Sequence, residues 1–200
     1  HIAASMIRET ARRGWPVWFL AHRDEIIDAT IERLEAFGLT VGRIQAGHDP
    51  SPLAEVQVCS IDTLSSWIQR GIAPGKRPRL VFIDEAHHLA SETWMGVFSW
   101  LNCLVIGLSA TPYRSDGSGL GCGFSEVVVG ATPRELVDLG FLVPARIYTA
   151  PQEDQFLHGD VVDMWVKHSG QSAVVFASSI EHSQKISEAF NERGFPWAHI

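Results

Sequence analysis

Five short apolar runs recur along the chain, and each run ends in small or polar residues. Continuous apolar runs of this length are typical of strands that are buried on both faces, as in a parallel sheet. Segments with helical spacing lie between the runs, so the sequence predicts an α/β fold with a doubly wound parallel sheet flanked by helices. The runs are VWFL (17–20), VQVCS (56–60), LVFI (80–83), LVIGL (104–108) and AVVFA (173–177).

Helix boundaries are marked by local signals. Apolar residues at three- and four-residue spacing predict a helix over 24–37, and Gly38 follows as a C-terminal cap. The sequence from Thr132 to Glu135 has the pattern of a capping box with proline at the first helical position. Further helices are predicted for the first residues of the chain, for about 160–168 and for 180–193.

The composition excludes several classes of protein. Hydrophobic residues make up 46% of the chain and charged residues 20%, which is typical of a globular chain and excludes disorder. No apolar run approaches the ~20 residues of a membrane span, so we expect no membrane partner. The net charge of −7 disfavours a strongly basic nucleic-acid binder but permits binding through a few loops.

The cysteines indicate a reducing compartment. Cys59, Cys103 and Cys122 are odd in number, far apart and without a CxxC pair, so we interpret them as packing thiols of a cytoplasmic protein. The seven tryptophans are scattered and form no stripe, which favours packing over a stacking surface.

Two adjacent carboxylates, Asp84 and Glu85, follow the run LVFI directly. Ligands of open parallel sheets bind beyond the carboxyl ends of the strands, where these side chains are predicted to lie. One carboxylate can hold Mg²⁺ through water while the other deprotonates an attacking water, which is the chemistry of phosphate hydrolysis. The alternative is a solvated strand end without chemistry.

The residues predicted to lie near Asp84 and Glu85 can be interpreted in more than one way. Arg23, after the first run, could bind a phosphate or form an ion pair with Asp24 or Glu25. His88 is interpreted as a loop or surface histidine. The stretch from Glu85 to His88 lacks the H-E-x-x-H spacing of a zinc site, and no cysteine cluster supports one.

Three motifs, spaced along the first 112 residues, resemble the motifs of a known protein family. They are FLAHR (19–23), VFIDEAH (81–87) and, about twenty residues later, GLSATP (107–112). The chain resembles superfamily 2 helicases and translocases with a DEAH box, most closely the bacterial and phage group that includes restriction-enzyme-like motor subunits. LSATPYRSDGSGLG is similar to the segment after motif III of that group, and VVFASSIEHSQKISEAFNERG to its motif IV.

The resemblance implies a RecA-like P-loop NTPase fold and a set of roles. Asp84 would coordinate Mg²⁺ on ATP, Glu85 would be the general base, and His87 would link the nucleotide site to motif III or to a second domain. Ser109, Ala110 and Thr111 would couple hydrolysis to movement on nucleic acid.

Nucleic-acid contacts are implied at two places. Ala21, His22 and Arg23 match motif Ia, which contacts the nucleic-acid backbone in the family. Thr63 lies where the family often has a Q-T-L stretch, but Asp62 replaces the glutamine and puts a contact there in doubt. DNA is favoured over RNA as the partner.

The phosphate-binding loop G-x-x-x-x-G-K-[ST] does not occur in the 200 residues. The chain is therefore expected to be a fragment that hydrolyses ATP negligibly alone. Residues 1–145 would form the ATP-binding domain without that loop, and 146–200 the start of a second RecA-like domain. The alternatives are the motor subunit of a restriction or defence complex, which translocates without unwinding, and a degenerate binding module without catalysis.

Overall fold

The computed structural model describes residues 2–111, 121, 123–144, 160–168 and 173–198. The chain divides into two compact units, residues 1–130 and 131–200, and each is described by itself. This division lies earlier in the sequence than the predicted domain boundary at 145/146, and that domain assignment stays a prediction. Three predicted features lie wholly or largely outside the described residues. They are the connection between domains (145–159), the segment after motif III (112–120) and Cys122.

The first unit contains one parallel sheet of five strands in the order β2-β3-β1-β4-β5. Four strands coincide with predicted apolar runs, which confirms the α/β class. The remaining strand, β2, was not predicted. The strands are β1 (Val17–Ala21), β2 (Val41–Ile44), β3 (Val56–Ser60), β4 (Leu80–Ile83) and β5 (Leu104–Gly107).

Helices flank this sheet. The predicted helix after the first run is confirmed, with Asp24 and Glu25 in its first turn and Gly38 at φ +78° beyond its end. The first helix was also predicted, whereas α3 and α4 were not. The helices of this unit are α1 (Ile2–Arg12), α2 (Asp24–Ala36), α3 (Ile61–Gln69) and α4 (Glu92–Leu101), with a 3₁₀-helix at Ala86–Ala90.

Strands β1 and β3 are buried along their whole length, as the continuous apolar runs predicted, whereas the edge strand β5 is only partly buried, with Leu104 72% exposed. Trp18 and Leu20 of β1 face a core cluster that includes Trp94 of α4. Val17 and Phe19 face the opposite cluster, which includes residues of α1 and α2. Cys59 is buried in the first cluster, and burial raises the pKa of its thiol.

The second unit contains three helices in its described residues: α5 (Pro133–Asp138), α6 (Val161–His168) and α7 (Ile180–Glu192). The capping box is confirmed, since the Thr132 side chain accepts from Glu135 N–H and the Glu135 carboxylate accepts from Thr132 N–H. Arg193 joins α7 to Asp160 and Asp163, at 2.7 and 2.6 Å.

The predicted strand at 173–177 is wrong for this structure, because these residues have no regular secondary structure. Val174 and Phe176 are 79% and 93% exposed. A strand needs hydrogen bonds to a neighbouring strand, and the described part of the second unit offers none. Across the described residues, no helix is long and apolar enough to cross a membrane.

Candidate functional site

The two carboxylates lie in a turn that joins three strands. We call residues 84–85 the carboxylate turn. Asp84 N–H donates to Leu20 O of β1 at 2.9 Å. Ala86, the residue that follows the carboxylate turn, donates its N–H to Leu108 O beyond β5 at 2.9 Å. Because β4 lies between β1 and β5, these bonds fix the carboxylate turn at the carboxyl edge of the sheet, where the sequence predicted it.

Glu85 has a left-handed backbone, with φ 49° and ψ 49°. This conformation costs a non-glycine residue on the order of 1 kcal/mol, and residues held in it are frequent at functional sites. It turns the chain from β4 into the 3₁₀-helix, where His88 N–H donates to Glu85 O at 3.0 Å. The fold therefore maintains a strained backbone at the predicted general base.

Burial raises the pKa of Asp84, and the negative charge of Glu85 raises it further. A hydrogen bond from Glu85 N–H and the nearby His22 act in the opposite direction. A cation would relieve the unfavourable burial and the repulsion between the two carboxylates. Carboxylate oxygens are ligands that Mg²⁺ prefers, so the residues present fit this ion.

The described residues contain no group of three or more His, Cys, Asp or Glu side chains able to hold a metal ion. Mg²⁺ usually keeps several waters and binds through one or two carboxylates and substrate phosphates. Asp84 and Glu85 therefore fit a Mg²⁺–phosphate ligand better than a cage made of protein ligands alone.

His87 bridges the carboxylate turn and the segment after β5. Its Nδ1 lies 3.3 Å from Glu85 Oε2 and 3.2 Å from Ser109 Oγ. Ser109 Oγ also accepts from Thr111 N–H at 3.1 Å, while Ala110 is exposed between them. A continuous set of polar contacts thus runs from Thr111 to Glu85, and it joins the predicted base to two of the three predicted coupling residues, Ser109 and Thr111.

The residues after β1 differ in accessibility. Ala21 is fully buried, so the surface available to a ligand belongs to His22 and Arg23. Arg23 Nε donates to His22 Nε2 at 3.2 Å. Of the two alternatives for Arg23, the ion pair with Asp24 or Glu25 is not formed among the described residues, and its guanidinium remains exposed.

Thr63 lies in the first turn of α3, at the same edge of the sheet. Its Oγ1 accepts from Ala46 N–H at 3.0 Å, which fixes the loop that follows β2. Buried Gln45 on that loop donates to Asp24 Oδ1 at 2.6 Å. Thr63 is therefore half-buried and holds neighbouring backbone, while Asp62 beside it is exposed.

Two residues of the site were not predicted, His88 and Trp94. The ring of His88 lies 5.1 Å from that of His22 and 6.1 Å from that of Trp94, measured between centroids. His88 is exposed, as its interpretation as a surface histidine predicted, and partial desolvation together with the nearby His87 and His22 lowers the pKa of its ring. The pairing of β1 with β4 places the ends of the two strands side by side and so brings His22 close to His88.

A parallel sheet with paired carboxylates at the carboxyl edge of β4 defines an α/β protein of the RecA-like class. Residues 1–114 match the family described as "Type III restriction enzyme, res subunit". The chain belongs to this family. It is thus a superfamily 2 protein of the helicase type, related to restriction-enzyme motor subunits.

Two proteins from other organisms are similar to this chain in sequence. A 51.5 kDa protein of Lactococcus phage (isolate 7-9) is 24% identical over 222 residues, which cover 100% of this chain and 46% of that protein. The putative mitochondrial ATP-dependent helicase irc3 of Schizosaccharomyces pombe (strain 972 / ATCC 24843) is 26% identical over 175 residues, covering 72% of this chain and 29% of that protein. The chain therefore spans about half of the first relative and less than a third of the second.

One solved structure shows the same fold. It is a nuclease-deletion mutant of the type ISP restriction-modification enzyme LlaGI, in complex with a DNA substrate mimic. The TM-score is 0.60 at 16% identity, and the match covers 90% of this chain and 17% of the enzyme. At this identity the likeness concerns the fold alone.

Proposed function

We propose that this chain is part of the ATP-binding core of a helicase or translocase that couples Mg-ATP hydrolysis to movement on nucleic acid. The observation that carries the proposal is the carboxylate turn with its His87 bridge, at the carboxyl edge of a RecA-like sheet. Family membership supports a motor of this type.

Asp84 is the residue that would hold Mg²⁺, through water, and the ion when bound neutralises charge on the phosphates. Glu85 accepts the proton of the attacking water on its carboxylate. His87 Nδ1, 3.3 Å from Glu85 Oε2, orients that carboxylate. Base and orienting residue form the arrangement that general-base catalysis requires.

Coupling would run through His87 and Ser109. Because Ser109 Oγ contacts both His87 Nδ1 and Thr111 N–H, movement of residues 109–111 changes the position of His87. A change at His87 then alters the orientation of Glu85. This path gives the segment after β5 a physical means of controlling hydrolysis.

Nucleic acid would bind along the same edge, through His22 and Arg23 and with support from Thr63. The exposed guanidinium of Arg23 is suited to a backbone phosphate. DNA is favoured over RNA, since the type ISP enzyme with this fold was solved with a DNA substrate mimic. The net charge of −7 limits binding to such local contacts.

The test is steady-state ATP hydrolysis by the natural protein that contains this chain, with Mg²⁺ and DNA present. Glu85→Gln should lower kcat by about 100-fold to 10,000-fold, because removal of a general base has effects of this size. Glu92→Gln is the matched control. Glu92 is an exposed glutamate in the first turn of α4, outside the proposed site, and the same substitution there should leave kcat unchanged.

An unchanged hydrolysis rate in Glu85→Gln would show that the base is assigned wrongly. Absence of ATP binding in the wild-type protein would instead support the degenerate binding module.

A second candidate, translocation on duplex DNA without strand separation, is favoured by the match to the restriction-enzyme family. Two assays on the natural protein separate the candidates. Displacement of a third strand from a DNA triplex reports translocation, while release of one strand from a forked duplex reports unwinding. Triplex displacement without fork opening would support the second candidate.

A further inference from the structure

Three aromatic side chains from different elements meet beside the carboxylate turn. We call His22, His88 and Trp94 the aromatic cluster. The ring centroids are 5.1 Å apart for His22 and His88, 6.3 Å for His22 and Trp94, and 6.1 Å for His88 and Trp94. The His22 ring lies at 66° and 60° to the other two, which is edge-to-face geometry.

The members of the aromatic cluster belong to parts of the chain with different proposed tasks. His22 follows β1 in the proposed nucleic-acid contact, and His88 lies on the 3₁₀-helix that continues the carboxylate turn. Trp94 is 7% exposed and belongs to the hydrophobic core. It therefore gives the two histidines a fixed surface to pack on.

Hydrogen bonds fix only one side of the His22 ring. Its Nε2 accepts from Arg23 Nε at 3.2 Å, so the proton of the neutral ring lies on Nδ1. That Nδ1 is buried and has no hydrogen-bond partner among the described residues. The orientation of the ring thus depends on its packing against His88 and Trp94.

We propose that His88 is a positioning residue that, with Trp94 behind it, holds His22 and links the nucleic-acid contact to the carboxylate turn. The inference rests on the proposed function. It adds a second connection between the two sites, which meets the path through His87 and Ser109 at His87, since the rings of His87 and His88 lie 4.3 Å apart between centroids. A displacement of His22 on binding nucleic acid moves His88, and the 3₁₀-helix transmits this movement to Glu85 through the bond from His88 N–H to Glu85 O.

The experiment measures coupling as an equilibrium quantity in the natural protein that contains this chain. The Kd for a fluorescein-labelled DNA oligonucleotide is determined by anisotropy, without nucleotide and with Mg²⁺ and the nonhydrolysable analogue AMP-PNP. The ratio of the two Kd values is the coupling factor, and it is reciprocal between the two ligands. Hydrolysis plays no part in this measurement.

His88→Ala should bring the coupling factor closer to one by about 2-fold to 30-fold, the usual range for residues that carry coupling. His88→Phe retains a ring at this position and should restore most of the coupling factor. His48→Ala is the control, since His48 is exposed and contacts Arg43, away from the aromatic cluster. It should leave the ratio unchanged.

Four results would overturn the inference. An unchanged ratio in His88→Ala, or a wild-type ratio of one, would exclude this connection while leaving the proposed function in place. A His88→Phe variant as defective as His88→Ala would show that ring packing is not how the residue acts. Wild-type protein that binds neither DNA nor AMP-PNP would refute the proposed function, and this inference would fail with it.

Discussion

Replacement of Gly107 by alanine tests the packing that supports the carboxylate turn. Gly107 is the last residue of β5 and pairs with Ile83, directly before Asp84. A methyl group at Gly107 would lie 2.5 Å from Cζ of Phe124 and 2.7 Å from Cβ of Ala86. Unstrained carbon contacts are about 3.5–4.0 Å, so the neighbours must move by about 1 Å.

The expected cost follows from which neighbour can move. The Phe124 ring can rotate away, but Cβ of Ala86 is fixed to the backbone of the 3₁₀-helix. Overpacking of this kind costs about 1–3 kcal/mol, and the lower flexibility of alanine in the unfolded chain returns about 0.5–1 kcal/mol. From the middle of these two ranges, Gly107→Ala should lower the free energy of unfolding by about 1 kcal/mol.

Urea unfolding of the 200-residue chain, followed by tryptophan fluorescence, measures this change. Gly96→Ala is the control, because Gly96 lies inside α4 with no atom within 4 Å of an added methyl group. Alanine there should raise the free energy of unfolding by about 1 kcal/mol. A Gly107→Ala variant as stable as the wild type would refute the packing of β5 against Ala86.

Two further substitutions test local electrostatics and capping. Burial raises the pKa of Asp84 in the folded state above its ordinary value of 3.8, so the folded chain holds this proton more tightly than the unfolded chain. The charged form is therefore destabilising at neutral pH, and Asp84→Asn should stabilise the chain slightly, by about 0.5 kcal/mol or less because the group is partly exposed. The gain should disappear as the pH falls towards 3.8, and a gain that is constant with pH in urea unfolding would contradict this cause. Thr132→Ala removes the capping box of α5 at a cost of about 1 kcal/mol, so the amides of 134–138 should exchange about fivefold faster with solvent. Unchanged exchange would mean that the capping box does not hold this helix.

The fold of the first unit was predictable where the sequence is apolar without interruption. Strand β2 escaped prediction because Val41–Ile44 contains a glycine and an arginine. The glycine leaves room for Gln57, since a Cβ at Gly42 would lie 2.3 Å from the end of that side chain on the neighbouring strand. The run at 173–177 has the composition of a strand, but composition alone does not provide the neighbouring strand that a ladder needs.

The site was predictable to the extent that it depends on strand ends. Asp84, Glu85 and Ser109 follow two adjacent parallel strands, and such strands place their carboxyl ends together. The contact of His22 with His88 depends instead on which strand lies beside β1, and no local spacing contains that information. The support that Thr63 gives to Ala46 escaped prediction for the same reason, because it depends on the unrecognised strand β2.

Separate measurement of ATP binding and ATP turnover in Glu85→Gln, in the natural protein that contains this chain, tests the central claim most directly. If Glu85 is the general base beside a Mg²⁺-binding Asp84, the variant should bind Mg-ATP with a Kd close to that of the wild type. It should also turn ATP over at least about 100-fold more slowly, so that bound ATP accumulates. Loss of binding and turnover together would contradict the assignment of Glu85 as base, and so would full turnover with normal binding.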